Sequence, residues 1–169
     1  MRWIWVDRFV AFEPGRRACA VKNLSQAEDY FRDHLPGYPV FPATLLLEGL
    51  AQTGGILVGQ AGDFRHNVVL AKIHAVQIHR EVYPGEQLQY EVELLDYRAE
   101  GATVHGRARV GDELVAEAEI LFAHVRPEKA GETIPAEADN FVFTGSLKRL
   151  LGLNRLLPTE SAQPSSARE

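Results

Sequence analysis

The stretch from Pro42 to Val58 limits the fold more than any other part of this chain. It reads as a helix over Ala43–Val58, with Pro42 at its start, where a missing N–H costs little. A helix of that length is about 24 Å long. It is apolar nearly all round, so the rest of the chain has to cover it on most sides. Gly54, Gly55, Gly59 and Gly62 are expected to close it and open a loop.

The covering must come from strands, because little else reads as helix. Residues 3–12 are rich in Trp, Ile, Val and Phe. Glu13-Pro14-Gly15 reads as a turn, and a second strand over Arg16–Asn23 completes a hairpin. Gln26–Asp33 reads as a short helix. Four more strand-like runs follow the long helix: Asn67–Glu81, Gln87–Tyr97, Ala102–Val110 and Glu113–Val125. Their links, Pro84-Gly85-Glu86, Glu100-Gly101 and Gly111-Asp112, are short and favour antiparallel neighbours. Two strands, one buried helix and four strands give an α+β chain with a single sheet wrapped around one helix. No Gly-rich loop joins a strand to a helix start, which excludes Rossmann and P-loop readings.

Composition removes further classes. At 169 residues the chain suits one domain, taken as residues 1–125, with an appendage over 126–169. In that appendage, 126–140 reads as a linker and 141–157 as a leucine-rich helical segment that Ser146 could cap. Residues 158–169 read as a disordered tail. A net charge of −5 argues against a nucleic-acid partner. A single cysteine, Cys19, excludes an intrachain disulfide and any multi-cysteine metal site. Cys19 reads as a small strand hydrophobe. His66, His74, His79, His105 and His124 lack a compact metal-binding spacing, so no metal is expected. The N-terminus breaks to charge too early for a signal peptide. Residues 42–58 carry Thr44, Glu48, Gln52, Thr53 and three glycines, too polar for stable membrane insertion. The expectation is a soluble cytoplasmic protein.

Two features carry chemistry. Thr44, Glu48 and Gln52 follow at i, i+4 and i+8 and so share one helix face. Such a stripe is either solvent-exposed or holds a carboxylate that needs a partner. His34 lies 14 residues before Glu48 (48 − 34), in the loop His34-Leu35-Pro36-Gly37-Tyr38-Pro39 that leads into the helix. A stiffly held histidine near a desolvated carboxyl group is a workable general base and general acid. An isolated loop histidine and a solvated stripe are the bland alternatives.

The run from His34 through Gly37, Pro42, Ala43 and Glu48 to Gln52 resembles the signature of the 3-hydroxyacyl-[acyl-carrier-protein] dehydratases of the FabZ type. Val6-Asp7-Arg8, Ala20-Val21-Lys22-Asn23, Tyr83-Pro84-Gly85-Glu86 and Val115-Ala116-Glu117-Ala118-Glu119 extend the resemblance in the same order along residues 3–125. It implies a hot-dog fold, a curved antiparallel β-sheet wrapped around a long central α-helix. It implies a homodimer and leaves open a hexamer built as a trimer of dimers. His34 of one subunit would act with Glu48 of the other on a 3-hydroxyacyl group carried by acyl carrier protein, with no cofactor. His34 and Glu48 would be catalytic. Gly37, Pro42, Ala43 and Gln52 would line the substrate, with an oxyanion donor at the Ala43 N–H and Gln52 orienting Glu48. Ala43 stands where the family usually has Gly, Leu35 where it has Phe, and Val69 and Leu70 where it often has an aromatic pair. Lys72, His79 and Arg80 form a candidate basic rim for an acidic carrier. A hot-dog thioesterase and a non-catalytic acyl-thioester-binding module are the competing readings.

Overall fold

The computed structural model describes residues 4–125 together with Gly152, Arg155 and Leu156. The element order is β1 (Arg8–Glu13), β2 (Arg17–Asn23), α1 (Asp29–Asp33), α2 (Ala43–Ala61), β3 (Asn67–Ile78), β4 (Gln87–Tyr97), β5 (Gly101–Val110) and β6 (Glu113–Val125). The strands form one six-stranded sheet in the order β1-β2-β4-β5-β6-β3, and all neighbours are antiparallel. Helix α2 packs on β2, β3, β4, β5 and β6. This is the hot-dog arrangement that the resemblance implied.

The strands alternate as a half-buried sheet requires. In β5, Ala102, Val104, Gly106 and Ala108 are buried, and in β6 Ala116, Ala118, Ile120 and Phe122. These residues face Leu46, Leu50, Leu57 and Val58 of α2 in one core cluster. Bulges between Leu94 and Asp96 and between Leu70 and Lys72 break the registers. Such bulges raise local twist and help a sheet curve.

The structure corrects four boundaries. Helix α2 has 19 residues and runs to Ala61, so Gly54, Gly55 and Gly59 lie inside it and do not end it. At Gly54 the reason is close approach, since a Cβ there would lie 3.0 Å from Cγ2 of Val104; the same holds earlier in the helix at Gly49, 2.3 Å from Cζ of Tyr90. The first strand begins only at Arg8, because Ile4–Val6 cross over α2 instead of pairing. Helix α1 is cut to five residues, and β3 stops at Ile78.

β3 is the exception to the buried-face rule. It pairs only with β6, and its outer edge has no strand partner among the described residues. Val69, Leu70, Val76 and Ile78 are 48%, 41%, 42% and 41% exposed. A 12-residue edge with apolar side chains on show is a template for pairing with another chain.

The linker, leucine-rich segment and tail expected over 126–169 lie outside the described residues, apart from three positions. There Arg155 donates its N–H to the Gly152 carbonyl, and Leu156 packs against the core cluster.

Candidate active site

Helix α1 delivers His34. Phe31 is buried in the core, and Tyr30 packs on Phe41 with ring centroids 5.3 Å apart. The His34 N–H caps the helix by donating to the Tyr30 carbonyl at 3.0 Å. The chain then turns through Gly37, whose φ of +81° lies in the left-handed region that favours glycine. Two ties hold this loop to the segment before β4. The Phe41 N–H donates to the Val82 carbonyl at 2.7 Å, and the Tyr38 hydroxyl donates to Glu81 Oε2 at 2.5 Å. The Tyr83 hydroxyl reaches the same oxygen at 2.6 Å. The two phenols hold the Glu81 carboxyl below its ordinary range, and Glu81 in turn pushes the Tyr83 phenol up. No sequence signal marks this latch, because its members stand 43 and 45 residues apart.

Helix α2 delivers the carboxylate. Pro42 is buried and offers no side-chain cap, and its carbonyl accepts from the Leu45 and Leu46 N–H groups at 2.9 and 3.1 Å. Among the described residues, no acceptor engages the N–H of Ala43, which is exposed. An open N–H at a helix start favours negative charge. Thr44 and Glu48 are exposed and Gln52 is half-buried, so the polar stripe faces out of the chain. Gln52 Nε2 donates to Glu48 Oε1 at 2.9 Å, and the Trp5 N–H donates to Gln52 Oε1 at 2.8 Å. The sequence offered Gln52 as the neighbour of Glu48 but gave no hint of Trp5, since a backbone donor leaves no sequence signature.

His34 is also exposed. Among the described residues, no hydrogen bond or ion pair joins His34 to Glu48 within the chain. Among the described residues, shallow depressions lie on the sheet beside His105 and Glu117 and beside Asp96 and Phe122. Neither is lined by His34, Glu48 or any residue of α2.

The other candidates resolve individually. Arg80 is held by Glu86 at 2.9 Å and Glu113 at 2.8 Å, and His79 lies 3.4 Å from Glu117. Two members of the basic rim are thus occupied by carboxylates of their own chain, and Lys72 is exposed on β3. Burial pushes the Cys19 thiol up, with Glu91 adding to the effect, which fits a packing role. Among the described residues, no group of three His, Cys, Asp or Glu side chains stands ready for a metal ion. Nor is any described helix long and apolar enough to cross a membrane.

Comparison with known proteins gives a consistent picture. The FabA-like domain family matches residues 3–119. A 3-hydroxyacyl-[acyl-carrier-protein] dehydratase FabZ from Pelotomaculum thermopropionicum is 43% identical over 122 residues, spanning 72% of this chain and 87% of that protein. The protein of the same name from Symbiobacterium thermophilum is 44% identical over 124 residues, 73% of this chain and 87% of its own. Among solved structures, a dehydratase heterocomplex from Xenorhabdus doucetiae matches with a TM-score of 0.63 at 13% identity. That match covers 75% of this chain and 86% of the other. A thioesterase from Haemophilus influenzae matches with a TM-score of 0.58 at 11% identity, covering 70% and 77%. At those identities the structural matches speak to the fold alone.

Proposed function

The chain belongs to the FabA-like family, with the FabZ-type 3-hydroxyacyl-[acyl-carrier-protein] dehydratases, and we propose that His34 and Glu48 carry that dehydration at a site shared between two copies of it. The reaction removes water from a 3-hydroxyacyl thioester and leaves the trans-2-enoyl thioester, as a step of fatty-acid synthesis. The neutral imidazole of His34 takes the α-proton. The electron pair moves toward the thioester carbonyl, whose oxygen gains negative charge beside the Ala43 N–H at the start of α2. The carboxyl group of Glu48 then protonates the departing 3-hydroxyl, which leaves as water as the double bond forms. Gln52 orients Glu48. Gly37 and Pro42 shape the backbone on either side of the entering thioester.

The observation that carries the shared site is the outward-facing stripe. Glu48 is exposed on a helix that is otherwise largely buried, and His34 is exposed at the end of another element. Each needs an apolar cover to work as an acid or a base, and one chain does not supply it. The apolar edge of β3, unpaired among the described residues, supports the same reading, because pairing it with its copy extends the sheet and brings a second subunit against the first. The carrier protein delivers the acyl group, and the cytoplasm suits a chain with one free cysteine.

The test is to incubate the protein with a chain-length series of 3-hydroxyacyl-carrier thioesters and follow the products by mass spectrometry. Enoyl thioester is the expected product. Release of free thiol would make the protein a thioesterase, and no turnover of any member would leave a binding module.

A further inference from the structure

We propose that Trp5 is a positioning residue for the acid: its backbone N–H fixes the amide of Gln52 and so decides which oxygen of Glu48 carries the proton. The inference rests on the catalytic role proposed for Glu48. A glutamine side chain offers one acceptor end and one donor end. The Trp5 N–H occupies the acceptor end at 2.8 Å, which leaves the donor end to reach Glu48 Oε1 at 2.9 Å. In the acid form of Glu48, the oxygen that accepts from Gln52 is the carbonyl oxygen. The hydroxyl is then Oε2, on the side away from Gln52, and the transferable proton points one way. With the amide reversed, Gln52 would present its oxygen to Glu48 and draw the proton to itself.

Trp5 can set this orientation because it is itself held. Its ring meets Tyr30 edge-on at 5.5 Å and tilts on Phe41 at 6.5 Å. Tyr30 donates its hydroxyl to Glu28, which also takes Lys22 Nζ at 2.7 Å. Tyr30 belongs to α1, whose C-cap is His34. One residue therefore touches the element that ends at His34 through its ring and the partner of Glu48 through its backbone. The ring anchors this segment against α1, and the N–H alone sets the amide of Gln52.

The ring and the N–H are separable by substitution. Trp5→Phe keeps both functions, Trp5→Ala keeps the N–H alone, and Trp5→Pro loses the N–H. Turnover of a 3-hydroxyacyl thioester is measured for each, alone and with Gln52→Met, alongside thermal melting and Glu48→Gln. Trp5→Phe and Trp5→Ala are expected to keep kcat within about threefold, although Trp5→Ala melts lower. Trp5→Pro is expected to lose roughly 10- to 100-fold in kcat at unchanged KM, the scale of a misplaced catalytic group. In the Gln52→Met background it should cost nothing further. Equal kcat in Trp5→Pro and Trp5→Ala, or a full additional loss on Gln52→Met, would overturn the proposal. If Trp5→Pro does not fold, hydrogen exchange at the Trp5 amide decides. Protection in the wild type that Gln52→Met removes supports the bond, and fast exchange in the wild type or unchanged protection in Gln52→Met refutes it. Full activity in Glu48→Gln would instead strike the catalytic reading itself.

Discussion

Replacing Gly49 by alanine sets two effects of known size against each other. A glycine inside a helix costs about 0.5–1 kcal/mol relative to alanine, so backbone propensity alone favours the change. Its Cβ, however, would stand 2.3 Å from Cζ, 2.5 Å from the hydroxyl oxygen and 2.7 Å from Cε2 of Tyr90. Carbon atoms rest about 3.5–4.0 Å apart, so the overlap is about 1 Å or more. Tyr90 is fully buried, and its ring cannot swing into solvent. Overpacking of this kind costs about 1–3 kcal/mol and occasionally more. The overlap here belongs at the top of that range, for a net loss of about 2 kcal/mol. Gly55→Ala in the same helix is the control. Its Cβ would meet the Phe122 ring at 3.5 and 3.9 Å, which is ordinary contact, so the propensity gain of about 0.5–1 kcal/mol survives. The two variants should differ by about 2–3 kcal/mol, in opposite directions from the wild type. Urea unfolding followed by circular dichroism measures this, at one fixed protein concentration for all variants. Tyr90→Leu added to Gly49→Ala removes the overlapping atoms and should recover part of the loss. If Gly49→Ala proves as stable as Gly55→Ala, the close approach of α2 to β4 is not what requires glycine there.

Three further outcomes follow from buried or paired polar groups. The Tyr90 hydroxyl is buried with no partner among the described residues, so Tyr90→Phe should leave stability unchanged or raise it by about 1 kcal/mol in the same unfolding assay. Lys22 is buried between Glu28 at 2.7 Å and Asp7 at 3.4 Å, and Lys22→Met takes the cation from both carboxylates, leaving Asp7 its bonds from Asn23 and Glu28 its bond from Tyr30. Because water still reaches them, the expected cost is about 1–2 kcal/mol, read as a melting point lower by roughly 2–8 °C. Burial opposes ionisation of Glu86, but hydrogen bonds from Arg80 and the Tyr83 N–H outweigh it and hold the carboxyl below its ordinary value of 4.5. A depressed folded value gives stability that is complete above about pH 4.5 and fades as pH falls below it. Arg80→Met should therefore flatten the acid side of the stability profile.

How legible these features were depends on what kind of signal each leaves. Helix α2 was legible because a long apolar run beginning at proline has few other outcomes, and β4, β5 and β6 because alternation and short turns restate their geometry. The end of α2 was not. Glycine breaks a helix in isolation, but here the sheet presses Val104 and Phe122 against Gly54, where a Cβ would stand only 3.0 and 3.3 Å from them. The N-terminal residues 3–7 carry the composition of a strand, yet Trp5 uses its N–H on a side chain 47 residues away. The polar stripe was visible from its spacing, and its direction was not, because an amphipathic count does not say which face points out of the chain. The latch of Tyr38 and Tyr83 on Glu81 depended on a loop conformation that Gly37 permits but does not announce. Motif spacing singled out His34, Glu48 and Gln52 as candidates, and only the fold supplied the residues that hold them.

The account stands or falls on whether His34 and Glu48 meet across two chains. His34→Ala and Glu48→Gln should each lower turnover about 10²–10⁴-fold, the usual contribution of a general acid or base, while leaving assembly intact. Mixed under subunit exchange, the two inactive variants form heterodimers in which one site lacks both groups and the other keeps both. Dehydration of a 3-hydroxyacyl thioester should then return, up to half the wild-type rate per heterodimer. Confirmed exchange with no recovery of activity would contradict the shared site.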